Sequence, residues 1–428
     1  MGGALIQLVA YGAQDIYLTG QPQITFWKSV YRRYTNFAIE SILQTVNSEP
    51  VFGGIVSVTI SRNGDLLKKL WVEYSPYHLL SGIQSISTVG ANVGHSLLDT
   101  VEIEIGGQLV DRHYGKWLTI WNYLTEDNPN GIQGTINSKC AGPGESDTPL
   151  LPELSRPTKY NRMAYTHRAN NLVSNSTLAP YRAYVPLQFW FCRNPGLALP
   201  LIALQYHDVK LNIKIGAYSG ITNNTALSGN EFNNFNVYAD YVYLDTTERQ
   251  QFAQNAHEYL IDQLQYESNS SFDKNIKLSF NHPVKELIWA IPPYPEVTKD
   301  YPAGASSPSG SFYLLNTEYG VGQNNNANNY SLIMNSNERF PERDITYFTR
   351  NQVWDYHSGF GSVIYPDSIA LYSFSLNPEE HQPSGTCNFS RIDTARLIRN
   401  VGQPVDIYAI NYNVLRIMSG MGGLAYSN

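Results

Sequence analysis

The chain has 428 residues, with 29 Lys and Arg against 36 Asp and Glu, so its formal net charge is -7 at pH 7. An acidic chain repels phosphate over most of its surface, which argues against a protein that binds nucleic acid directly. The longest apolar run, LALPLIAL from Leu197, is too short to span a bilayer and contains Pro200, so we expect no membrane span.

Apolar and polar residues alternate with period two along much of the chain, which predicts half-buried antiparallel strands. VSVTISRNGDLLKKLWVEY predicts one strand, a turn at Asn63-Gly64 and a second strand toward Trp71. TVEIEIGGQLVDRHY predicts two strands around a tight turn at Gly106-Gly107. DVKLNIKI, which begins at Asp208, predicts a further strand with its hydrophobic side facing a core.

Helical patterns are few and short. YGKWLTIWNYLTED spaces Trp117, Trp121 and Leu124 at i, i+4 and i+7, which places three apolar side chains on one helix face. TTERQQFAQNAHEYL begins with Thr246 and Thr247, which are residue types that cap a helix. We interpret both helices as connectors between strands.

A faint internal repeat runs in the same order through both halves of the chain. Its three matches join 61–71 to 279–289, 187–195 to 371–378, and 237–245 to 407–415. Any one match could arise by chance, but three in order favour two similar β domains that carry loops of different length.

The predicted fold class is all-β, with two consecutive eight-stranded antiparallel jelly rolls, a double jelly roll. Short helices and long loops, such as the Pro-, Gly- and Ser-rich segments 128–157 and 292–311, would connect the strands. An immunoglobulin-type sandwich is the alternative fold. It is weaker here, because each half of the chain is larger than that fold and lacks its paired cysteines.

No familiar catalytic or metal-binding motif is present, so no catalytic, metal or cofactor residues are predicted. His207-Asp208 and His257-Glu258 are adjacent pairs, and neighbours on a strand point to opposite faces, so neither pair can form a metal site unaided. Cys140, Cys192 and Cys387 have no metal-ligand spacing and cannot form a closed disulfide framework, so we expect free thiols.

An enzyme is not excluded by these absences. The two carboxylates of a glycosidase come from distant strands, which sequence spacing does not reveal. An all-β carbohydrate-binding protein or glycosidase is therefore the alternative function, supported by the abundance of Tyr, Trp and Asn.

Four long segments resemble the major capsid protein of nucleocytoplasmic large DNA viruses, most nearly that of the chlorella-infecting viruses. They begin with LVAYGAQDIYLTGQPQITFWKSVYRRYTNFAIESI and continue with PGLALPLIALQYHDVKL, SGTCNFSRID and NYNVLRIMSGMGGLAY. The resemblance runs from Leu8 to Tyr426 and fails only in loops. It implies a non-enzymatic double jelly roll that forms pseudo-hexagonal trimers, which tile the icosahedral outer shell of a virion assembled in the host cytoplasm.

The resemblance also implies a division of the chain. Residues 1–26 would form an N-terminal arm at the base of the shell, 27–245 the first jelly roll, 246–257 a linker and 258–428 the second jelly roll. The partners would be further copies of the chain, neighbouring capsomers, and minor capsid proteins on the internal membrane side, which the arm would contact.

The aromatic-rich stretch QPQITFWKSVYRRYTNF, Gln21 to Phe37, has five aromatic and three basic residues within 17 positions. Such a mixture occurs where proteins bind nucleic acid, but the net charge favours a structural role. We therefore predict a plug that closes the end of the first barrel, formed by Phe26, Trp27, Tyr31, Tyr34 and Phe37.

Five asparagines stand in N-x-[ST] sequons, which permit N-linked glycans in a secretory compartment. Relatives among the chlorella viruses carry glycans on outward loops but attach them largely outside such sequons. No cofactor is expected beyond such covalent glycans. Asn329 is the best candidate because the sequence predicts a long loop there, Asn269, Asn223 and Asn175 are further candidates, and Asn388, in a predicted strand, is expected to be unmodified.

Overall fold

The computed structural model describes most of the chain. The residues that it describes are 3–74, 93–126, 159–164, 166, 182–216, 234–271, 273–290, 329–359, 369–400, 402 and 404–426. The chain divides into two compact units, Met1–Phe37 and Ala38–Asn428. No helix among the described residues is long and apolar enough to cross a membrane.

The first unit contains two short helices, α1 (Gly3–Val9) and α2 (Ile16–Thr19), and neither has a buried residue. Residues 29–36 are neither helix nor strand. This unit therefore has no hydrophobic core of its own among its described residues.

The first half of the second unit is built from strands joined by short helices. The helices are α3 (Val93–Ser96), α4 (Gly115–Thr125), α5 (Lys159–Ala164) and α6 (Trp190–Arg193), followed by a short 3-10 helix, Pro195–Leu197. The strands are β1 (Phe37–Gln44), which begins at the last residue of the first unit, β2 (Ile55–Thr59), β3 (Leu66–Tyr74), β4 (Leu98–Ile105), β5 (Gln108–Tyr114), β6 (Ala183–Pro186), β7 (Leu199–Pro200), β8 (Val209–Ile215) and β9 (Phe235–Leu244).

Helix α7 (Thr246–Gln254) leads into the second half. There a π-helix, Tyr347–Asn351, continues directly into α8 (Gln352–Tyr356), and a 3-10 helix spans Phe389–Arg391. The strands are β10 (His257–Asn269), β11 (Asn275–Leu278), β12 (Pro283–Ala290), β13 (Asn329–Met334), β14 (Asn337–Asp344), β15 (Ile369–Ser373), β16 (Cys387–Asn388), β17 (Ala395–Arg399), β18 (Val405–Met418) and β19 (Met421–Leu424).

The strand order is the same in both halves. In the first half one sheet has the order β1-β9-β3-β6 and the other β2-β8-β4-β5. In the second half the orders are β10-β18-β12-β15 and β11-β17-β13-β14. If the short strands β7, β16 and β19 are set aside, each half pairs its first strand with its eighth and its second with its seventh, which is the jelly-roll arrangement. The predicted double jelly roll is confirmed, and we call the two halves the first and second rolls.

Each roll encloses its own core. Side chains from both sheets of the first roll pack together, for example Val58 and Leu211 from one sheet and Leu70 and Val237 from the other. Because neighbouring strand residues point to opposite faces, the residues between them lie on the outer faces of the sheets.

The predicted local elements are largely confirmed. Strands β4 and β5 pair around Gly106 and Gly107, whose positive φ angles of 59° and 80° suit a tight hairpin. In the second roll β13 and β14 pair around Asn335 and Ser336, which also have positive φ. Helix α7 begins at Thr246 as predicted, but its N-cap residue is Asp245.

The segment around Asn63-Gly64 does not form a hairpin. The strand before it, β2, belongs to one sheet of the first roll, and the strand after it, β3, belongs to the other. The turn therefore carries the chain from one layer of the sandwich to the other.

Helix α4 joins the two rolls. Its Leu118 packs in the core of the first roll. Its other apolar residues, Trp117, Ile120, Trp121 and Leu124, cover the outer face of the second roll's sheet β10-β18-β12-β15, where they meet Ile288, Ile369, Leu371, Tyr408 and Ile410. The predicted apolar face of this helix is thus confirmed, and it belongs to the contact between the rolls, which we call the junction.

Truncation of a buried junction side chain tests how much this contact contributes to stability. Trp121 is 5% exposed, so we expect Trp121→Ala to lower the free energy of unfolding by about 3–5 kcal/mol. Denaturant unfolding of the purified chain measures this change. The matched control is Trp27→Ala, because Trp27 is 94% exposed and its removal should change stability by less than about 0.5 kcal/mol. Equal effects of the two substitutions would contradict the junction's role.

Candidate assembly surfaces

The segment 3–36, which extends the arm predicted at 1–26 as far as the start of β1 and is called the arm from here on, presents an unusual amount of apolar surface. A large set of its hydrophobic residues is exposed: Leu5, Ile6, Leu8, Val9, Tyr11, Ile16, Tyr17, Leu18, Ile24, Phe26, Trp27, Val30, Tyr31 and Tyr34. Exposed apolar surface in this amount is typical of a segment that another molecule covers.

The structure gives no support to the predicted barrel-end plug. Phe26, Trp27, Tyr31 and Tyr34 are 83–94% exposed, and Phe37 is 50% exposed. A plug requires buried rings, whereas the core of the first roll is filled by side chains from its own strands and helices. The aromatic residues are also spaced irregularly on backbone that is neither helix nor strand for most of its length, so no regular element places them on one face. The only ring contact between two of them in the described residues is an edge-on one, between Tyr34 and Phe37 at 6.2 Å.

Buried charges lie beside the apolar junction. Arg193, from α6 of the first roll, donates a hydrogen bond of 3.0 Å from Nη2 to Asp262 Oδ2 on β10 of the second roll. Lys285 Nζ lies 3.5 Å from the same carboxylate and is fully buried. Burial lowers the pKa of Lys285, although Asp262 acts in the opposite direction. A charge pair buried between the rolls fixes their relative position, because losing either partner leaves the other charge unpaired.

A second group of buried charges centres on His357, which follows α8. Its Nε2 lies 2.8 Å from Glu286 Oε2 on β12, and its Nδ1 lies 3.0 Å from Glu379 Oε1. Both ring nitrogens must donate to satisfy two carboxylates, so this geometry requires the charged imidazolium. Burial acts to lower the pKa of His357, but the two glutamates outweigh it and raise that pKa to about 9.

Glu379 connects this group to the first roll. Burial would raise the pKa of Glu379, but hydrogen bonds from His357 and Ser358 lower it. Ser358 also donates to the carbonyl oxygen of Thr125 at the end of α4, at 3.4 Å, and the next residue, Gly359, donates to Leu124 at 2.7 Å. The imidazolium therefore stabilises the segment of the second roll that contacts α4.

The sequence did not predict this charged group. Its members come from segments far apart along the chain, and none stands in a recognisable motif. The one available sequence signal was the repeat match of 61–71 with 279–289. Each of these segments has a pair of charged residues within an otherwise apolar strand, Lys68-Lys69 in the first and Lys285-Glu286 in the second.

The two histidines considered as ligands form ordinary structural contacts. His207 Nδ1 lies 2.9 Å from the carbonyl oxygen of Gly422, and His257 Nε2 lies 2.8 Å from that of Phe252. Within the part of the chain that the structure describes, no group of three or more His, Cys, Asp or Glu could hold a metal ion. Cys192 and Cys387 are free thiols, and burial raises the pKa of Cys192 to about 12, while Cys140 lies outside the described residues.

The structure corrects the placement of the main glycan candidate. Asn329 begins strand β13, and its Nδ2 donates to Glu342 Oε1 at 3.0 Å, so the predicted loop is wrong at this position. Asn269 ends β10, and its Oδ1 accepts from the backbone and hydroxyl of Ser271. Asn388 lies in β16 as predicted. Asn175 and Asn223 lie outside the described residues.

Replacement of the central imidazolium should change the pH dependence of stability. The folded-state pKa of His357, about 9, lies above its ordinary 6.5, so its contribution is complete below pH 6.5 and is lost as pH rises through 9. We expect the wild-type chain to lose about 3 kcal/mol between pH 6 and pH 9.5 through this group, and His357→Gln to lack that loss. Denaturant unfolding at several pH values measures it.

The matched control is another buried histidine. Burial lowers the pKa of His95 to about 3, so its contribution changes only between pH 3 and 6.5. His95→Gln should therefore keep the alkaline loss of stability. The same alkaline loss in His357→Gln would show that the imidazolium does not stabilise the junction.

Comparison with known proteins agrees with these features. Two family models match the chain: the major capsid protein N-terminus over residues 25–245, and the large eukaryotic DNA virus major capsid protein over residues 248–423. The major capsid protein of Pyramimonas orientalis virus is 43% identical over 459 residues, and that of Paramecium bursaria Chlorella virus 1 is 40% identical over 484 residues. Both alignments cover 100% of this chain and 100% of the relative.

A solved structure extends this similarity to three dimensions. A chain in the quasi-atomic model of the PBCV-1 virus capsid superposes with a TM-score of 0.70 and 36% sequence identity, covering 94% of this chain and 100% of that one. Sequence and fold therefore agree along nearly the whole chain. The chain belongs to the major capsid protein family of the large eukaryotic DNA viruses, and it is a structural component of the virion capsid.

Proposed function

We propose that three copies of the chain form one capsomer and that these capsomers tile the icosahedral outer shell of the virion. The observation that carries this proposal is the identical strand order of the two rolls within one chain. Three copies would place six similar rolls around one axis, which gives a hexagonal outline from a trimer. A head-to-tail contact between the first roll of one copy and the second roll of the next closes such a ring.

The arm is assigned to contacts at the base of the shell. Its exposed apolar side chains need a covering partner, and minor capsid proteins on the internal membrane side supply one in this arrangement. The arm has Lys28, Arg32 and Arg33 and one acidic residue, Asp15, so it is basic while the whole chain is acidic. A basic apolar segment suits acidic protein partners. In this proposal the shell assembles in the host cytoplasm, and the chain makes no direct contact with the genome.

A role as a structural tile needs no catalysis. Arg193 and Asp262 pair with each other and line a cavity of only about 10 Å³, which is too small for a sugar ring. His357 pairs with Glu286 and Glu379. We therefore propose that the chain has no enzymatic activity. The similarity to capsid proteins along the whole chain favours this role over the carbohydrate-binding or glycosidase alternative.

The state of association tests the proposal. In light scattering the purified chain should have three times its 48.1 kDa mass. Deletion of residues 1–36 should leave that mass and the melting temperature unchanged, because the arm's described hydrophobic side chains are exposed. The same deletion should abolish assembly of capsomers into shells, which electron microscopy of assembly reactions detects. A monomeric wild-type chain would contradict the trimer, and normal shells without the arm would contradict its role at the base.

Covalent glycans on outward loops remain part of the proposal. Asn388 lies in a short strand, and its Oδ1 accepts from Ser390 at 3.0 Å, so we expect this sequon to be unmodified. Mass spectrometry of glycopeptides from virions should find Asn388 bare, and Asn388→Gln should leave the mass of the attached sugar unchanged. Sugar on Asn388 with bare asparagines elsewhere would contradict glycosylation of outward loops.

A further inference from the structure

The junction within one chain shows how a helix of one roll covers a sheet of the other. Helix α4 lies between β5 and β6 of the first roll, and it packs on the outer face of β10-β18-β12-β15. At the centre of that face Ile288 of β12 lies opposite Tyr408 of β18. Without α4 this apolar sheet face would be in water.

The register of the first roll identifies the equivalent face. Trp71 of β3 lies opposite Tyr238 of β9, in the positions that Ile288 and Tyr408 occupy in the second roll. On the next strand Tyr184 of β6 takes the place of Ile369. Charged residues also stand on this face, since Lys69, Glu73 and Asp240 take the places of Glu286, Ala290 and Ile410. Helix α7 covers one end of the face, where Phe252 packs against Leu66, Val242 and Leu244. The part around Trp71, Tyr184 and Tyr238 lies beyond this cluster.

Strand β1 extends this face at the sheet edge. Ile42 packs against the first roll's core, and Gln44 is bonded to the buried Tyr241, so the alternate residues Ile39 and Leu43 point to the outer side. They are 48% and 53% exposed, and Tyr184 is 39% exposed. The outer sheet face of the first roll thus presents Ile39, Leu43, Trp71, Tyr184 and Tyr238.

The second roll has a helix at the position that α4 occupies in the first. The π-helix Tyr347–Asn351 and α8 lie between β14 and β15. Phe348 and Val353 are buried on one side of this helical segment, whereas Trp354 is 81% exposed on the other. An exposed tryptophan is a frequent anchor of protein interfaces.

We propose that the helical segment Tyr347–Tyr356 of one copy docks on the outer sheet face of the first roll of a second copy, with Trp354 packed against Trp71, Tyr238 and Leu43. The contact repeats between chains the arrangement that α4 makes within the chain. Each copy donates one helix and accepts one, so the contact is head-to-tail and can close into a ring. The inference rests on the proposed trimer and names the surfaces that would hold it together.

Two substitutions separate the donor from the acceptor. Trp354→Asp removes the donor side chain and Leu43→Asp places a charge on the acceptor face. Both residues are exposed in the single chain, so circular dichroism should show native folding in both variants. We expect the mass in sedimentation velocity to fall from that of a trimer to that of a monomer in each variant. Trp27→Asp, in the arm, is the control and should remain a trimer.

A mixture of the two variants tests the pairing itself. The helix of Leu43→Asp and the sheet face of Trp354→Asp are both intact, so an equimolar mixture should form dimers and no trimers. Monomers alone in the mixture, or trimers in either single variant, would overturn this contact while the proposed capsomer stands. A wild-type chain that is itself monomeric would contradict both the contact and the proposed trimer.

Discussion

Trp117, Ile120 and Trp121 cover a sheet face that would be in water if the second roll stood alone. A jelly roll buries the inner faces of its sheets without help, but an apolar outer face is stable only when something packs on it. Helix α4 covers this face and thereby packs the two sandwiches together as one unit. The fixed spacing of two rolls within a subunit follows from this single packing contact.

Charge reinforces the same contact. Arg193 and Asp262 link the two rolls directly, and the imidazolium of His357 holds the segment that bonds to the end of α4. Buried ion pairs contribute less to net stability than to uniqueness, since an apolar replacement could pack as well but would permit other orientations. A subunit that must fit a regular shell needs its two rolls in a single relative orientation.

Much of the fold could be predicted from the sequence because the signals were local. The alternation around Ile103, the Gly106-Gly107 turn and the spacing of Trp117, Trp121 and Leu124 each specify one element. The faint repeat then predicted two similar domains. The family was recognisable from long matched segments. The buried ion pairs could not be predicted, because their members are far apart along the chain. The contacts of Glu286 with His357 and of Arg193 with Asp262 both join residues from separate segments. The plug was predicted from composition, which does not show which side of an irregular segment is covered.

Trp71 and Trp289 were matched by the sequence repeat, yet they have opposite surroundings. Trp289 lies in the core of the second roll, whereas Trp71 lies on the outer face of the first, since the strand pairing places Trp71 opposite Tyr238 and Ile288 opposite Tyr408. Both strands have a register shift near their start, at Leu67/Lys69 and at Val284/Glu286. A change of one residue beside such a bulge moves every following side chain to the other face. The two halves therefore share their strand pairing rather than their residue types. The same residue type at matched positions of the repeat does not indicate the same role.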